Sequence, residues 1–370
     1  MNRLELDVLD AAQAWEELRG PWDEIIAAHG GRINNLTITE GLDWTQTLWE
    51  VHLGSGAIQV LVVREAKETL GILSLYRQRK TIRKLPFRGI APLTQLYSGR
   101  TGFLLRRSDA ATLGKFLEHL KVQKHAWDVL SLKLVQGSAD EKLILDLAGA
   151  NGFSVLAVQE EYSPYIPFQE NWEHHFASLP GKFRYTIRSG EKRLREKGSL
   201  TYRECRTPQD VQDFNAAVVE IERGSWKEAA GTSLTANPIQ ETFHRKMLPR
   251  AAECGLFSGH LLLLDGEPIA YVMGLLHKGI FLDLKNSYRS AYRECSPSHV
   301  LMNFVLPRLY EHKTHTFDFM GLCEDFKMRW TDKTYCQISY LIFPGTLRGK
   351  AAHWLRSIGG SAQKGDTCSP

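Results

Sequence analysis

A continuous run of strand and helix signals between residues 261 and 330 constrains the fold of this chain most strongly. Two apolar segments flank an Asp-Gly turn in LLLLDGEPIAYVMGLL, and a third apolar segment, GIFLDLKNSY, follows directly. A Ser-Pro-Ser junction then leads into the helical pattern SPSHVLMNFVLPRLYEHK, and THTFDFMGLCEDFKMRW ends the run. The order hairpin, strand, helix, strand predicts an α/β (α+β) fold with a mixed central sheet flanked by helices.

The first half of the chain repeats this order. VLVVREAKETLGILSLY at residues 60–76 again reads as strand, turn, strand. A predicted helix over residues 110–124 and the strand WDVLSLKLV follow, with Asp128 and Asp318 in like places of the two patterns. The repetition predicts two tandem domains of one fold.

The length of 370 residues also favours two domains, since it exceeds the usual size of one. We expect an N-terminal domain over residues 1–165 and a C-terminal domain over residues 166–346. Residues 347–370 are rich in Gly, Ser and Lys, which predicts a flexible tail.

Several function classes lack the residues that they require. No G-x-S-x-G elbow, P-loop or dinucleotide fingerprint occurs, which excludes the common hydrolase, NTPase and dehydrogenase designs. The six cysteines and the histidines show no metal-ligand spacing, so no metal is expected. The acidic N-terminus does not resemble a signal peptide, and no apolar run reaches the ~20 residues of a membrane span. We therefore expect a cytoplasmic protein with no membrane span.

The strand-to-helix junction at Ser296, Pro297, Ser298 and His299 is a candidate phosphate site. The first-turn amides of a helix have no intrahelical acceptors and carry partial positive charge. A pyrophosphate group such as that of acyl-CoA suits this position. A simple helix cap with no ligand is the alternative, because no Gly-rich loop precedes the helix.

The segment FDFMGLCEDFKMRW brings together a strand-end carboxylate and a lysine. Asp318 can orient or deprotonate an incoming amine. Lys327 can stabilise negative charge during acyl transfer, and Trp330 follows within a helical turn. The alternative is an exposed loop in which Asp318 caps the turn.

The loop GSWKEAAGTSL leaves Trp226 and Lys227 among small residues. Loops on a rigid scaffold often carry binding residues, so these two are candidate walls of an acceptor pocket. A Trp that closes the core beneath a loop is the alternative.

The net charge of the chain is only +4, but cations cluster at residues 179–198. Arg184 and Arg188 belong to a run of Lys and Arg at helical spacing. A solvated helix face is the usual meaning of such a run. Contact with a phosphorylated acceptor, with CoA or with a tRNA backbone is the alternative.

These segments together resemble a known family. LPGKFRYTIRSGEKRL, ERGSWKEAAGTSL, LLLLDGEPIAYVMG, LKNSYRSAYRECSPSHVLM and FDFMGLCEDFKMRW match, in order and spacing, GNAT-fold proteins named for CelD/BcsL of cellulose biosynthesis. That family is similar to the FemAB-like transferases with tandem GNAT domains. The resemblance covers residues 172–343. It departs at Ser298, where the family has Gly, and at Arg289, where it has Asp.

The resemblance implies N-acyl transfer from an acyl-thioester, either acyl-CoA or a carrier protein, to an amine by direct attack. It implies a small-molecule or cell-envelope-precursor acceptor, with Trp226, Lys227 and Tyr288 lining the acceptor side. Arg184, Arg188 and Trp330 are further candidate substrate contacts. A FemABX-like transferase that uses aminoacyl-tRNA is one alternative. A GNAT-fold binding protein without catalysis is another.

Overall fold

The computed structural model describes residues 3–28, 39, 41–54, 58–96, 102–169, 171–358 and 363–364. The chain divides into two compact units. The first contains Met1–Ser163 and Tyr335–Pro370, and the second contains Pro164–Thr334. The division falls after Ser163 rather than after the predicted residue 165. Residues 335–346 group with the first unit, whereas the sequence-based prediction assigns them to the second.

The first unit contains most of the strands. They are β1 (Leu4–Leu9), β2 (Ile58–Glu65), β3 (Glu68–Ile82), β4 (Leu85–Pro92), β5 (Leu104–Leu105), β6 (Val129–Val135), β7 (Ser154–Pro167, which continues into the second unit), β13 (Thr334–Phe343) and β14 (Gln363–Lys364). Its helices are α1 (Ala11–Glu17), α2 (Arg19–Ala28), α3 (Leu42–Leu48), α4 (Ala110–Val122), α5 (Ala139–Ala150) and α13 (Leu347–Ser357), with a π-helix at Trp49–Leu53 and a 3-10 helix at Leu93–Leu96.

The sheet of the first unit is mixed. Strands β1, β2, β3 and β4 pair antiparallel in sequence order. Strand β6 joins β4 in parallel after the α4 crossover, and β13 pairs antiparallel with β6. Helices α4 and α5 contribute Phe116 and Ile144 to a core that also buries Trp127. The C-terminal segment thus supplies a strand to the sheet that the N-terminal residues begin.

The chain after β13 forms a helix where a flexible tail is predicted. Thr346 caps α13 with its side chain, and Ala352 is fully buried in a small apolar cluster of the first unit. The tail prediction is therefore wrong for α13, because one side of this segment finds an apolar surface to cover. Residues 359–362 and 365–370 of the predicted tail lie outside the described residues.

The second unit contains the remaining elements. Its strands are β8 (Leu200–Cys205), β9 (Phe257–Leu264), β10 (Glu267–His277), β11 (Ile280–Tyr288) and β12 (Thr316–Asp318). Its helices are α6 (Trp172–Ser178), α7 (Gly181–Lys197), α8 (Pro208–Arg223), α9 (Trp226–Ala229), α10 (Pro238–Glu253), α11 (Pro297–Glu311) and α12 (Asp325–Met328), with a 3-10 helix at Ser290–Cys295.

The sheet of the second unit repeats the topology of the first. Strands β8 to β11 pair antiparallel in sequence order. After the α11 crossover, β12 pairs in parallel with β11 over only three residues, which end at Leu282 and Asp318. The other edge of β12 pairs antiparallel with residues 165–167 of β7. The predicted α/β fold with mixed sheets flanked by helices is confirmed in both units.

The two aspartates that the sequence places in like positions lie differently. Asp128 precedes the first residue of β6, whereas Asp318 is the last residue of β12. The Asp128 carboxylate is fully buried and lies 2.7 Å from Arg88 Nη2 and 3.2 Å from Arg348 Nε. The correspondence drawn from the sequence is therefore wrong, and Asp128 forms a structural ion-pair cluster.

Membrane-spanning helices and clusters of metal ligands are both absent from the described ranges. None of their helices has both the length and the apolar character needed to cross a membrane. No three His, Cys, Asp or Glu side chains of these ranges lie grouped as metal ligands.

Gly190 lets α7 approach the residue that precedes the α11 junction. A Cβ at position 190 would lie 2.2 Å from the carbonyl oxygen of Cys295 and 3.2 Å from Val300 Cγ2. Because the closest contact is with backbone, a rotamer change cannot relieve it. The placement of the junction that begins α11 therefore depends on the absence of a side chain at Gly190.

Gly190→Ala is expected to lower the free energy of unfolding by about 1–3 kcal/mol, because α7 must move away from Cys295. Gly149→Ala is the matched control, since Gly149 lies in α5 and a Cβ there meets nothing within 4 Å. The control is expected to gain roughly 0.5–1 kcal/mol from helix propensity. Urea denaturation measures both changes, and equal stabilities of the two variants would contradict the close approach.

Candidate active site

A register shift in β11 shapes a polar cluster of the second unit. The pairing of β11 with β10 shifts by one residue after Asp283. Such a bulge re-aims the side chains that follow it. As a result, the side chain of Asn286 lies on the same face of the strand as that of Asp283. Its Nδ2 donates a hydrogen bond to Asp283 Oδ2 at 2.7 Å. The bulge therefore provides the aspartate with a fixed partner.

Asp283 is a buried carboxyl group with incomplete hydrogen bonding. It is 4% exposed, and its Oδ1 has no hydrogen-bond partner within the part of the chain that the structure describes. Burial raises the pKa of Asp283 to about 7, although the positive charges of Lys327 and Lys227 oppose the shift. A carboxyl group with this pKa exchanges a proton near neutral pH, which suits it to general acid–base chemistry.

Lys227 lies beside this carboxyl group. Its Nζ donates a hydrogen bond to the Asn286 carbonyl oxygen at 2.5 Å. Burial lowers the pKa of Lys227, while the carboxylates of Glu222 and Asp283 oppose the change. The lysine therefore contributes a partly buried positive charge to the cluster, next to a main-chain carbonyl of β11.

Glu222 fixes the loop that carries Lys227. Its side chain is fully buried at the end of α8. Glu222 Oε1 accepts a hydrogen bond from the Tyr271 hydroxyl at 2.6 Å, and Oε2 accepts one from the Leu234 amide at 2.7 Å. These bonds connect the two ends of the loop to the sheet, so the position of Lys227 is set by buried contacts.

Trp226 and Tyr288 flank this region without joining the hydrogen bonds. Trp226 is 52% exposed at the start of α9, which excludes the alternative that it closes the core. Tyr288 ends β11 and packs against the apolar core of the second unit. Their predicted contacts with an acceptor stay predictions.

Asp318 and Lys327 both bind the turn that follows β12. The turn has left-handed backbone at Met320 (φ 47°) and Gly321 (φ 63°). Asp318 Oδ1 accepts a hydrogen bond from the Met320 amide at 2.8 Å, and Lys327 Nζ donates one to the Met320 carbonyl at 3.0 Å. Lys327 Nζ also lies 2.8 Å from the Glu324 carboxylate. Both side chains therefore stabilise one strained turn.

The two members of this predicted catalytic pair differ in their relation to Asp283. Asp318 caps the turn, which is the alternative to a catalytic role that the sequence analysis gives for this residue. Lys327 is buried in α12, and its charge is the largest of those that lower the pKa of Asp283. Lys327 and Lys227, chosen from separate sequence segments, thus act on one carboxyl group. A catalytic role for Asp318 or Lys327 stays a prediction.

The predicted pyrophosphate junction offers few free donors. Ser296 has left-handed backbone (φ 50°) and no side-chain cap. Its carbonyl accepts hydrogen bonds from the amides of His299 and Val300. Pro297 has no amide hydrogen. Among the described residues, the Ser298 amide is therefore the first-turn N–H of α11 without a backbone acceptor.

The side chain of His299 lies in the core rather than at the junction surface. Its Nδ1 accepts a hydrogen bond from Trp330 Nε1 at 3.2 Å, and its ring packs edge-on against Phe183. Burial, with a smaller effect of Arg329, lowers the pKa of His299 to about 4. The imidazole is thus neutral at pH 7 and holds Trp330 in place.

The cations of α7 are partly neutralised. Arg195 lies 2.8 Å from the Glu191 carboxylate, and Lys192 lies 3.8 Å from that of Glu196. Arg188 stacks over Phe176, with 5.3 Å between the guanidinium carbon and the ring centroid. Arg184 is half-buried. The run predicted from the sequence is a real helical stripe, but ion pairs and stacking use part of it.

A cavity of about 780 Å³ lies within the second unit at the start of α7. Its wall combines apolar and cationic side chains: Phe183, Trp330, Tyr310, Lys182, Arg329 and Lys333. Trp330 is the predicted site residue that contributes to this wall. The cavity has the size and mixed character of a small-molecule site.

Asp283 is not among the site residues predicted from the sequence. Its signal there is a single acidic residue inside the apolar strand FLDL. A buried carboxyl group needs compensating partners, so an acid in such a strand is worth attention.

A match to a known protein family lies in this same unit. Residues 181–328 match the family described as Acetyltransferase (GNAT) domain. The matched range includes Lys227, Asp283, Asp318 and Lys327. None of the curated proteins matches the chain in sequence.

Solved structures share the fold at low sequence identity. One described as FemX has a TM-score of 0.60 and 15% identity, and the likeness covers 91% of this chain and 98% of FemX. A conserved protein of unknown function from Bacteroides thetaiotaomicron has a TM-score of 0.57 and 13% identity, with 88% and 97% covered. At these identities the likeness shows the fold of nearly the whole chain.

Residues 181–328 of the second unit therefore match a GNAT acetyltransferase domain, and this match supports a transferase. The expected GNAT class is confirmed for the matched residues, and the likeness to FemX concerns the fold alone.

Asp283→Asn is expected to stabilise the protein increasingly as the pH rises from about 4 to about 7. The unfolded carboxyl group ionises near its ordinary pKa of 3.8 and the folded one near 7, so ionisation favours unfolding within this window. Asn does not ionise, and its advantage levels off above the window at up to about 4 kcal/mol. Urea denaturation across the pH range measures the difference in the free energy of unfolding between the variant and the unmodified protein.

Asp213→Asn removes an exposed carboxylate from α8 and controls for the loss of one negative charge. If the stabilisation by Asp283→Asn grew with pH no more than that by this control, the raised pKa of Asp283 would be wrong.

Proposed function

We propose that the chain is an N-acyltransferase that moves an acyl group from an acyl-thioester to an amine, with its reacting site at Asp283. The buried carboxyl group with a pKa of about 7 is the observation that carries the proposal. Direct attack on a thioester needs a neutral amine, and a base titrating near the working pH accepts a proton efficiently.

The proposed reaction has two steps. The amine nitrogen attacks the thioester carbonyl carbon as its proton passes to Asp283, which forms a tetrahedral oxyanion. The carbon–sulfur bond then breaks, and the thiolate leaves and takes up a proton. The ammonium group of Lys227 or Lys327 would stabilise the oxyanion, since both charges act on Asp283. Asp318 would hold the turn that positions Lys327.

The donor is proposed to be acyl-CoA or an acylated carrier protein. Ser296, Pro297, Ser298 and His299 would contact a phosphate group through the Ser298 amide and hydroxyl. The fit is limited, because the His299 and Val300 amides are bonded to Ser296. These residues therefore suit one phosphate contact better than a cradle of several amides.

The acceptor is proposed to be a small-molecule or cell-envelope-precursor amine. Trp226, Lys227 and Tyr288 would line its path to Asp283. The cavity beside Trp330 supports a further contact region, with Arg184 and Arg188 on the adjoining helix. Membership of the CelD/BcsL group and a cytoplasmic location belong to the same proposal.

Asp283→Asn is expected to lower kcat/KM by about 10²–10⁴-fold, the usual value of a general base. In the unmodified protein, kcat/KM is expected to rise with pH through about 7, as Asp283 loses its proton, and the variant is expected to lack this limb. Release of free thiol from acetyl-CoA, measured with a panel of primary amines, provides the assay.

Lys327→Met is expected to lower kcat/KM by about 10²–10³-fold in the same assay. Lys121→Met is the matched control, because Lys121 is an exposed lysine of α4 in the first unit, and it is expected to leave the rate unchanged. Transfer from aminoacyl-tRNA without thiol release would favour the FemABX-like alternative. A folded protein that transfers from neither donor would favour the non-catalytic binding protein.

A further inference from the structure

The first unit exposes a surface on which cations and apolar side chains occur together. It consists of residues 77–88, at the tip of the β3–β4 hairpin, and residues 347–358, which contain α13. We call it the hairpin–helix surface. Neither segment contains an Asp or a Glu. The proposed acyl transfer makes no use of it.

Most cations of this surface are without acidic partners. Arg88 and Arg348 are paired with Asp128. Seven others form no ion pair with a carboxylate of the described residues: Arg77, Arg79, Lys80, Arg83, Lys84, Lys350 and Arg356. Burial lowers the pKa of Lys80, and the charge of Arg356 adds to the shift, so the cations are close enough to repel one another.

Large apolar side chains project from the same surface. Leu347 is 89% exposed and Trp354 is 60% exposed, and Ile358 and Leu85 are about half exposed. Leu347, Trp354 and Ile358 are spaced by seven and four residues, which aligns them along one side of the helix. Clusters of exposed apolar side chains mark interaction surfaces rather than chance exposure.

Specific contacts join the hairpin and the helix. Arg83 Nε donates a hydrogen bond to the Leu355 carbonyl at 3.0 Å, and Arg348 Nη2 donates one to the Pro86 carbonyl at 3.3 Å. The Arg348 guanidinium also lies over the Phe87 ring. Ile82 and Phe87 of the hairpin pack with Ala352 of α13. The cations of this face, of the hairpin tip and of the helix (Lys80, Arg83, Lys84, Lys350 and Arg356) therefore form one surface with the exposed apolar side chains. Arg77 and Arg79 alternate with Lys80 along β3 and lie on the other face of the hairpin.

We propose that the hairpin–helix surface docks the protein onto an anionic lipid bilayer. Trp354, Leu347 and Ile358 would enter the boundary between headgroups and acyl chains, where an indole is favoured. The five cations on the side of α13 and at the hairpin tip would lie against lipid phosphates, and each cation near an anionic leaflet strengthens binding. The protein would rest on the membrane surface in this interaction.

Other occupants fit the surface less well. Residues 359–370, GGSAQKGDTCSP, contain no Leu, Ile, Val, Met or aromatic residue to cover the exposed helix. A two-fold dimer through this surface would set its five cations against the same five of the second copy. A nucleic acid would pair with the cations, but it provides no apolar phase for Leu347 and Ile358.

Sedimentation of the full chain with lipid vesicles tests the proposal. We expect binding to vesicles in which about one third of the phosphatidylcholine is replaced by phosphatidylglycerol, weakened by salt, and little binding to phosphatidylcholine alone. Trp354→Glu and the double variant Lys84→Glu/Lys350→Glu, at two exposed lysines of this surface, are each expected to lower the partition coefficient about tenfold or more. Val122→Glu is the matched control, because Val122 is 82% exposed on α4, and it is expected to bind normally.

Three results would overturn the proposal. The first is no difference in binding between the two vesicle types. The second is binding to tRNA, without binding to vesicles, that the double lysine variant abolishes. The third is a concentration-dependent dimer, without vesicle binding, that Trp354→Glu dissociates. Thermal melting of each variant separates loss of binding from loss of folding.

Discussion

The polar chemistry of the second unit depends on how briefly β11 pairs with β12. Their parallel pairing ends at Leu282 and Asp318, whereas β11 continues to Tyr288. Beyond the last pair, side-chain groups bond to the strand instead, as Lys227 does at the Asn286 carbonyl. If β12 continued to pair with β11, its backbone would occupy the place beside β11 where Lys227 and the turn after β12 now lie near Asp283.

Burial of Asp283 is costly, and the surrounding structure holds it in place. Two lysines favour its charged form and burial favours its neutral form, so neither dominates near neutral pH. The supporting residues are themselves buried: Glu222 fixes the loop of Lys227, and the Met320 turn fixes Lys327. Such an arrangement sacrifices stability and is typical of positions retained for chemistry.

The sequence predicts the order of strands and helices better than it predicts which side chains contact one another. The order of hairpin, strand, helix and strand follows from local periodicity, and it holds in both units. The burial of Asp283 does not follow from the local sequence, because it depends on a register shift in β11 and on a loop that is distant in sequence. The core position of the His299 ring likewise depends on Trp330, which the junction sequence does not reveal. The packing of helix α13 does not follow from its own sequence, because the apolar partners of Ala352 include Ile82 and Phe87 of a hairpin that lies far earlier in the chain.

The composition of the first unit bears on the order in which the protein can fold during synthesis. Its sheet needs β13, and Arg348 of α13 completes the buried pair with Asp128. The second unit is contiguous in sequence and can complete its contacts while the chain is still being made. The first unit, although it emerges earlier, must wait for the C-terminal segment. If synthesis stopped before β13, the first unit would therefore be left incomplete, although most of its residues are made first.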